Sequence, residues 1–320
     1  MSAKPPILVL HTTGTNRDRE AAWACELAGG APEIVHINRL ISGERRLSDY
    51  RMLVLPGGFS YGDDLGAGKL WAVTLRYRMG QALEAFISAG RPVLGICNGF
   101  QALVKAGLLP GDDVSHMPWR AVPGLRGAGF APGQSHPPHE IASAQTTGLA
   151  MTTLGRFSVQ PVTLTRNDSA RFECRWVYLA PQEDSPCVFT RGLAEPIYCP
   201  VAHGEGKFVA RDAAILAAVE DAGLVALRYA DAKDLTADLT GLGDLSGLHR
   251  VSYPWNPNGS QNAIAGICNK QGNVLGLMPH PEDHIIPEQH PGYHRGERGL
   301  MGLPLFRSGI RYASEVSGTC

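Results

Sequence analysis

Cys97 lies between two glycines, Gly95 and Gly99, where a short apolar run meets a helical pattern. This G-x-nucleophile-x-G spacing is typical of a sharp turn from a strand into a helix. The helix dipole and the free amide groups at such a position favour the thiolate over the thiol, and the amide of Asn98 can point at a developing oxyanion. The pattern predicts a cysteine nucleophile. A buried structural cysteine beside a tight turn is the alternative.

A histidine and a carboxylate follow the last strand-like run of the chain. Pro279-His280-Pro281-Glu282 comes directly after the apolar run 274–278. On extended backbone, residues two apart project to the same side, so Glu282 can meet the ring of His280. A carboxylate on one ring nitrogen leaves the other free to accept a thiol proton. Cys97, His280 and Glu282 together therefore predict a nucleophile, a base and an orienting group, although a capping His-Pro turn before a helix explains the segment equally well when it is taken alone.

Paired glycines follow an earlier strand-like run, residues 52–55. The turn Pro56-Gly57-Gly58-Phe59-Ser60-Tyr61-Gly62-Asp63 frees backbone N–H groups to approach a substrate, which an oxyanion hole requires. A plain tight turn fits the same residues. A phosphate loop is excluded, because no Gly-Lys-Ser/Thr follows.

Two groups of histidines raise the question of a metal site. One continues the spacing that begins at His280 and comprises His284, His290 and His294. Prolines at 281, 287 and 291 prevent the continuous helix that would align these rings. The other group lies in a Gly- and Pro-rich segment and comprises His116, His136 and His139. Because no cysteine or carboxylate stands at ligand spacing, we expect solvated histidines and no metal.

Strand-like runs alternate with helical patterns in the first third of the chain, which indicates an α/β fold with a mostly parallel sheet and helices on both faces. The strand-like runs are residues 7–10, 34–37, 52–55 and 93–96, and the helical patterns are 17–27, 69–89 and 100–105. Such sheets bind ligands at the carboxyl ends of their strands. The turns that follow residues 55 and 96 are therefore the expected substrate site.

Further strands are predicted in the second half of the chain. The runs are 159–164, 171–179, 198–202, 225–229, 263–268 and 274–278, with a helix at 212–222. Residues 171–179 alternate with a period of two, which predicts Cys174 to face inward as a structural residue. We expect one domain over 1–320, with an insertion at about 111–155 and a second loop at about 231–250.

Composition excludes several functional classes. With 320 residues, 44% apolar and 18% charged, the chain resembles an ordinary globular protein, and its net charge of −1 gives no reason to expect nucleic acid or a membrane as partner. The seven cysteines form no CxxC pair and cannot all be paired, which indicates a reduced, cytoplasmic chain. No basic segment precedes an apolar run at the N-terminus, so no signal peptide is expected.

The motifs taken together resemble the class I (triad) glutamine amidotransferases. Within that class they are similar to the glutaminase subunits of phosphoribosylformylglycinamidine synthase, a family of purine biosynthesis. The matching segments cover nearly the whole chain in order and are residues 56–63, 95–101, 107–111, 166–168, 200–206, 266–270 and 278–282. Cys97-Asn98-Gly99-Phe100-Gln101 and the run 200–206 are distinctive of this family.

The resemblance implies a flavodoxin-like fold and hydrolysis of L-glutamine to glutamate and ammonia. A partner synthetase would use the ammonia to convert formylglycinamide ribonucleotide to formylglycinamidine ribonucleotide, and a small bridging subunit remains open as a further partner. No nucleotide-binding signature is visible in this chain. We therefore expect no cofactor here, and ATP and Mg on the synthetase.

The resemblance also implies roles for single residues, carried over by position. The triad would consist of Cys97, His280 and Glu282. The oxyanion hole would be formed by the backbone amides of Gly58 and Asn98. Contacts to the glutamine are implied for Gln101 and Asn167, and the synthetase-facing side for His203 and Glu205.

The chain departs from the small form of the family in two long segments, about 111–155 and 231–249. Residues 172–176 and 253–259 are instead similar to the glutaminase domain of the large single-chain form, so the arrangement with the partner stays open. Three rival hypotheses remain. They are an amidotransferase for another acceptor, a non-catalytic regulatory relative, and a cysteine hydrolase of the wider Cys-elbow type.

Overall fold

This computed structural model describes residues 4–111, 160–233 and 251–316. The predicted insertion at about 111–155 and nearly all of the loop at about 231–250 lie outside the described residues. The strands are β1 (Pro6–His11), β2 (Ala31–His36), β3 (Met52–Leu55), β4 (Val93–Ile96), β5 (Val162–Thr165), β6 (Glu173–Pro181), β7 (Ile197–His203), β8 (Lys207–Ala210), β9 (Val225–Ala230), β10 (Ile264–Cys268) and β11 (Val274–Leu277). The helices are α1 (Asp18–Leu27), α2 (Ile37–Ile41), α3 (Lys69–Ser88), α4 (Asn98–Lys105), α5 (Ala213–Asp221) and α6 (Leu303–Glu315).

The main sheet has nine strands in the order β2-β1-β3-β4-β11-β10-β9-β6-β7. The half from β2 to β11 is parallel throughout. From β10 onward the neighbouring strands are antiparallel, and β10 and β11 form the predicted hairpin. Strands β5 and β8 pair separately. The predicted α/β fold class is confirmed.

The parallel half brings the predicted motifs to one edge of the sheet. Strands β3 and β4 are buried at every position, as is β11, which matches the near-continuous apolar runs typical of covered parallel strands. These three strands are adjacent and parallel. Their carboxyl ends therefore place Pro56, Cys97 and Met278 side by side, as the rule for ligand sites in α/β sheets requires.

The prediction that Cys174 faces inward is wrong. Strand β6 does alternate, but in the opposite phase: Glu173, Val177 and Leu179 are buried, whereas Cys174 is exposed and free. Both faces of this strand carry large apolar side chains. The alternation in the sequence therefore does not indicate which of the two faces packs against the core. Trp176 is half-buried on the outer face and packs against other aromatic rings there.

Helix α6 was not predicted from the sequence. Its interior contains Ser308 and Gly309, which have low intrinsic helix propensity and weaken the local signal. A Cβ on Gly309 would lie 2.3 Å from Cε1 of Phe189, so this glycine lets the helix pack closely on the core. Tertiary packing therefore accounts for a helix that local propensity does not favour. In the part of the chain that the structure describes, none of the helices combines the length and apolar character needed to span a membrane.

Candidate active site

The turn at Cys97 has the geometry that its glycines predict. Cys97 caps the N-terminus of α4 at φ 49° and ψ −105°, a strained conformation for a residue with a side chain. A Cβ on Gly99 would lie 2.0 Å from the carbonyl oxygen of Leu55, and one on Gly95 would lie 2.5 Å from Cδ1 of Leu103. Helix α4 can therefore approach the sheet this closely only because both positions are glycine.

His280 and Glu282 form a buried pair. His280 Nδ1 lies 2.7 Å from Glu282 Oε1, and the two side chains are 2% and 0% exposed. Contrary to the expected extended backbone, Glu282 lies in a short 3-10 turn, Pro281–Asp283, which curls the carboxylate back to the ring. His280 Nε2 is buried and has no hydrogen-bond partner among the described residues. The ring thus keeps one nitrogen available for proton transfer.

The imidazole of His280 is electrostatically coupled to Cys97. Burial acts to lower the pKa of His280, but the charges of Glu282 and Cys97, together with the hydrogen bond to Glu282, raise it well above its ordinary value. The Sγ atom of Cys97 lies 3.8 Å from the carbonyl oxygen of Ala202 at the end of β7. The structure therefore brings the three predicted triad residues together, and it favours an imidazolium beside the sulfur.

The turn that carries Gly58 is held in place by the loop after β1, to which no role was assigned from the sequence. Phe59 N donates to Gly14 O at 2.9 Å, and Tyr61 N donates to Thr13 O at 2.7 Å. Gly58 has φ 140°, and a Cβ there would lie 2.7 Å from the backbone nitrogen of Asn16. The backbone of the predicted oxyanion turn is therefore fixed by the loop after β1.

Asn98 ties this turn to helix α4. Its side-chain oxygen accepts from Ser60 N at 3.1 Å, and its amide nitrogen donates to Asp63 Oδ1 at 3.0 Å and to Gln101 Oε1 at 3.1 Å. The backbone amide of Asn98 is the first of the helix, where no intrahelical acceptor exists. That amide stays the predicted oxyanion donor.

Gln101 and Glu205, predicted for glutamine contact and for the partner side, meet each other in the structure. Gln101 is 3% exposed, and its Nε2 donates to the carbonyl oxygen of Glu205 at 2.6 Å. Glu205 is half-buried, and its carboxylate accepts from Ala67 N at 3.3 Å. The two residues join helix α4 to the turn after β7.

His203 and Asn167 are both buried, at 3% exposure each. The sequence predicts His203 on the synthetase-facing side, but its ring lies inside the protein. The charge of the His280 imidazolium lowers the pKa of this ring. Asn167 was a candidate for glutamine contact. Its side-chain amide instead makes four internal hydrogen bonds, to Arg171 O, His203 O, His203 Nδ1 and Gly206 N.

The histidines after the triad pack among aromatic rings. Nδ1 of His284 donates to Tyr198 O at 2.6 Å, and the ring stacks at an angle on His290 with centroids 5.3 Å apart. Within residues 4–111, 160–233 and 251–316, no three His, Cys, Asp or Glu side chains converge to hold a metal ion. His116, His136 and His139 lie outside the described residues.

Replacing Gly57 with alanine should lower activity by about 100-fold without unfolding the protein. A Cβ there would lie 2.6 Å from Cε1 of His280, so either the base or the oxyanion turn must shift, and misplacing a reacting group by about 1 Å costs on the order of 100-fold. Gly204→Ala is the matched control, because its nearest neighbour would be 3.9 Å away. Steady-state kinetics with thermal melts would test this, and an unchanged rate for Gly57→Ala would contradict it.

Acid should destabilise the fold through His203. Burial, and then the charge of His280, lower the pKa of His203 from 6.5 to about 3. Below about pH 6.5 this histidine is protonated in the unfolded chain but stays neutral in the folded chain. The free energy of unfolding therefore decreases as pH falls. From about pH 7 to about pH 5 the loss is about 2 kcal/mol. Urea unfolding at both pH values should show this loss in the wild type and not in His203→Asn; equal losses would contradict it.

Comparison with known proteins gives a consistent family. Residues 4–122 and 148–313 match the model of the CobB/CobQ-like glutamine amidotransferase domain. The phosphoribosylformylglycinamidine synthase subunit PurQ of Treponema denticola is 41% identical over 309 residues, covering 97% of this chain and 99% of that protein. The subunit of the same name from Dehalococcoides mccartyi is 37% identical over 318 residues, covering 98% and 100%.

One solved structure supports the same relationship. A chain in the structure of PurLQS from Thermotoga maritima superposes with a TM-score of 0.59 at 29% identity, covering 97% of this chain and 99% of that one. The similarity thus extends over both the parallel and the antiparallel half of the sheet.

Proposed function

The chain belongs to the CobB/CobQ-like glutamine amidotransferases, in the family of glutaminase subunits of phosphoribosylformylglycinamidine synthase, and we propose that Cys97, His280 and Glu282 carry out its glutamine hydrolysis. As a member of that family it is the glutaminase component that supplies ammonia to a synthetase in purine biosynthesis. The observation that supports the triad is the buried His280–Glu282 pair, at 2.7 Å, whose second ring nitrogen is unpartnered and whose ring interacts with Cys97.

The first half of the reaction forms a thioester. The Cys97 thiolate attacks the carbon of the glutamine side-chain carboxamide, and the carbonyl oxygen becomes an oxyanion. The imidazolium of His280 then gives its Nε2 proton to the nitrogen, the C–N bond breaks, and ammonia leaves. Glu282 stays ionised and holds the Nδ1–H of the ring, which keeps Nε2 directed at the reacting atoms.

The second half hydrolyses the thioester. Nε2 of His280, now neutral, takes a proton from water as the water oxygen attacks the thioester carbon. The C–S bond breaks, Cys97 leaves as the thiolate, and glutamate is released. Together the two halves convert glutamine and water to glutamate and ammonia, with the sulfur and the imidazole restored.

Both halves pass through an oxyanion, for which we assign the backbone amides of Gly58 and Asn98. The Asn98 amide opens helix α4, so the helix dipole adds to its hydrogen bond. The fixed backbone around Gly58 means that little reorganisation is needed when charge develops. Each donor of this kind contributes on the order of 10²–10³ in rate.

The synthetase receives the ammonia and converts formylglycinamide ribonucleotide to formylglycinamidine ribonucleotide. We assign the ATP and Mg of that step to the synthetase, and none to this chain, and we leave a small bridging subunit open. The described cysteines are all free, which fits our placement of the reaction in the reducing cytoplasm. Ammonia released into water would be lost, so we expect the synthetase to stimulate hydrolysis.

Glutamate release tests this proposal. Purified wild type and Cys97→Ala should be assayed with and without a candidate formylglycinamide ribonucleotide synthetase. We expect release that depends on Cys97 and rises with the synthetase. Release that ignores the synthetase would indicate another acceptor, and no release under any condition would indicate a non-catalytic relative.

A further inference from the structure

His203 ends strand β7, and its ring orientation is set by Asn167. Nδ1 of His203 lies 3.2 Å from Oδ1 of Asn167. The orientation of the Asn167 amide is unambiguous, because its nitrogen faces two carbonyl oxygens, Arg171 O and His203 O, and its oxygen faces the backbone N–H of Gly206. Oδ1 of Asn167 can therefore only accept from His203.

This contact fixes the tautomer of His203. Nδ1 must carry the hydrogen, so Nε2 presents a bare lone pair. Nε2 is buried and has no hydrogen-bond partner among the described residues. A buried acceptor without a donor is costly, and such atoms usually mark a place where a ligand or a water completes the site.

The unpartnered nitrogen belongs to a residue that directly follows a neighbour of the nucleophile in β7, and the charge of His280 acts on its ring. The residue before it, Ala202, has its carbonyl oxygen 3.8 Å from Sγ of Cys97. The ring lies over Gly206, where a Cβ would come within 2.4 Å of Cε1 and Nδ1 of His203. His203 is therefore held from both sides, by Gly206 and by Asn167, and cannot turn Nε2 away without breaking these contacts.

Burial keeps this second imidazole neutral. Its pKa is lowered to about 3, first by burial and then by the positive charge of His280. His203 therefore does not compete with His280 as an acid at neutral pH. The two histidines thus have different states, with His280 as a proton donor and His203 as an acceptor.

We propose that Nε2 of His203 accepts a hydrogen bond from the carboxamide N–H of bound glutamine, which makes it the residue that selects an amide over an ester. The inference rests on the proposed Cys97 chemistry. The substrate carbonyl oxygen needs donors, so the carboxamide NH₂ is the part of the reacting group that can satisfy a bare lone pair. An ester has no such hydrogen and leaves Nε2 unpartnered.

The same contact helps the leaving group. In the tetrahedral intermediate, the nitrogen must present its lone pair to the Nε2–H of His280. A hydrogen bond from one of its own N–H groups to His203 fixes the rotation about the C–N bond that achieves this. His203 touches the substrate but neither gives nor takes a proton, so its effect is confined to substrates that carry N–H.

Two substitutions separate the acceptor from the structural contact. His203→Asn places an amide N–H where Nδ1 was, so the contact to Asn167 survives and the acceptor at the Nε2 position is lost. His203→Gln places a carbonyl oxygen near the Nε2 position and restores an acceptor. Both variants should be melted thermally to show that they fold, and assayed as full chains in complex with the synthetase.

The test compares L-glutamine with L-glutamate γ-methyl ester. We expect His203→Asn to lose about 10- to 100-fold in kcat/KM for glutamine and at most about 3-fold for the ester, because only the amide loses a hydrogen bond. His203→Gln should recover most of the amide activity. Equal losses on both substrates would show a purely structural role and overturn the proposal, as would an unchanged amide rate in His203→Asn or no recovery in His203→Gln.

Cys97→Ala in the same assay keeps the two proposals apart. It should abolish hydrolysis of both substrates. If Cys97→Ala still hydrolyses either substrate, the triad assignment is wrong, whatever the His203 variants show. If it hydrolyses neither, the ratio of amide to ester activity in the His203 variants tests the role of His203 separately from the triad.

Discussion

Cys97→Ala abolishes glutamine hydrolysis, with an expected fall in kcat on the order of 10⁵–10⁶, because the variant has no nucleophile and no thioester can form. Triad residues act as a unit, so removing the nucleophile costs about as much as removing the whole triad. Helix α4 and its capping turn depend on Gly95 and Gly99 rather than on the sulfur. The fold and the binding of glutamine should therefore survive.

Cys174→Ala is the matched control for this change. Cys174 is also a free cysteine, but it is exposed on strand β6 and contributes nothing to the triad. Its replacement should leave kcat and the thermal midpoint within error of the wild type. Steady-state glutamate release with the synthetase present, together with glutamine binding by calorimetry, measures both claims. Residual turnover in Cys97→Ala above about one part in 10³ would contradict the assigned nucleophile.

Glu282→Gln lowers kcat on the order of 10³–10⁴ while leaving KM nearly unchanged. The change keeps the shape of the side chain but removes the charge that stabilises the His280 imidazolium, and it introduces an amide N–H that can face Nδ1 and select the wrong tautomer. Glu282 is fully buried, so no water can replace the lost charge. An interaction needed only as the proton moves should affect kcat and kcat/KM equally.

Glu288→Gln is the control for the glutamate change. Glu288 lies six residues further along the same segment, is exposed, and accepts a hydrogen bond from the hydroxyl of Tyr293 at 3.3 Å. We expect its kinetics to match the wild type. A Glu282→Gln enzyme with wild-type kcat, or one whose loss is entirely in KM, would exclude the orienting role proposed for this carboxylate.

The features that the sequence predicted well are those whose physical cause is local. Gly95, Cys97 and Gly99 lie within five residues, and the clash that Gly95 avoids, with Leu103, arises within one strand–turn–helix unit, although Gly99 avoids Leu55 of the adjacent strand β3. The buried strands were visible because each is an uninterrupted apolar run. His280 and Glu282 are also local, although a 3-10 turn joins them and not the extended backbone we expected.

Features that depend on distant contacts were missed or reversed. The role of Asn167 follows from hydrogen bonds to His203 and Gly206, more than thirty residues away in sequence. No local pattern could show that the candidate for the partner side was a buried imidazole near the triad. The phase of strand β6 depended on which of two apolar faces the rest of the chain covers, which left Cys174 on the wrong side in the prediction.

The most direct test of the account is to find the covalent intermediate. The complex with its synthetase should be quenched in acid during turnover of L-glutamine, digested, and analysed by mass spectrometry. The account predicts a γ-glutamyl thioester on the peptide that contains Cys97, and on none of the other cysteine peptides. Glutamate release without that adduct, or with the adduct on another cysteine, would contradict it.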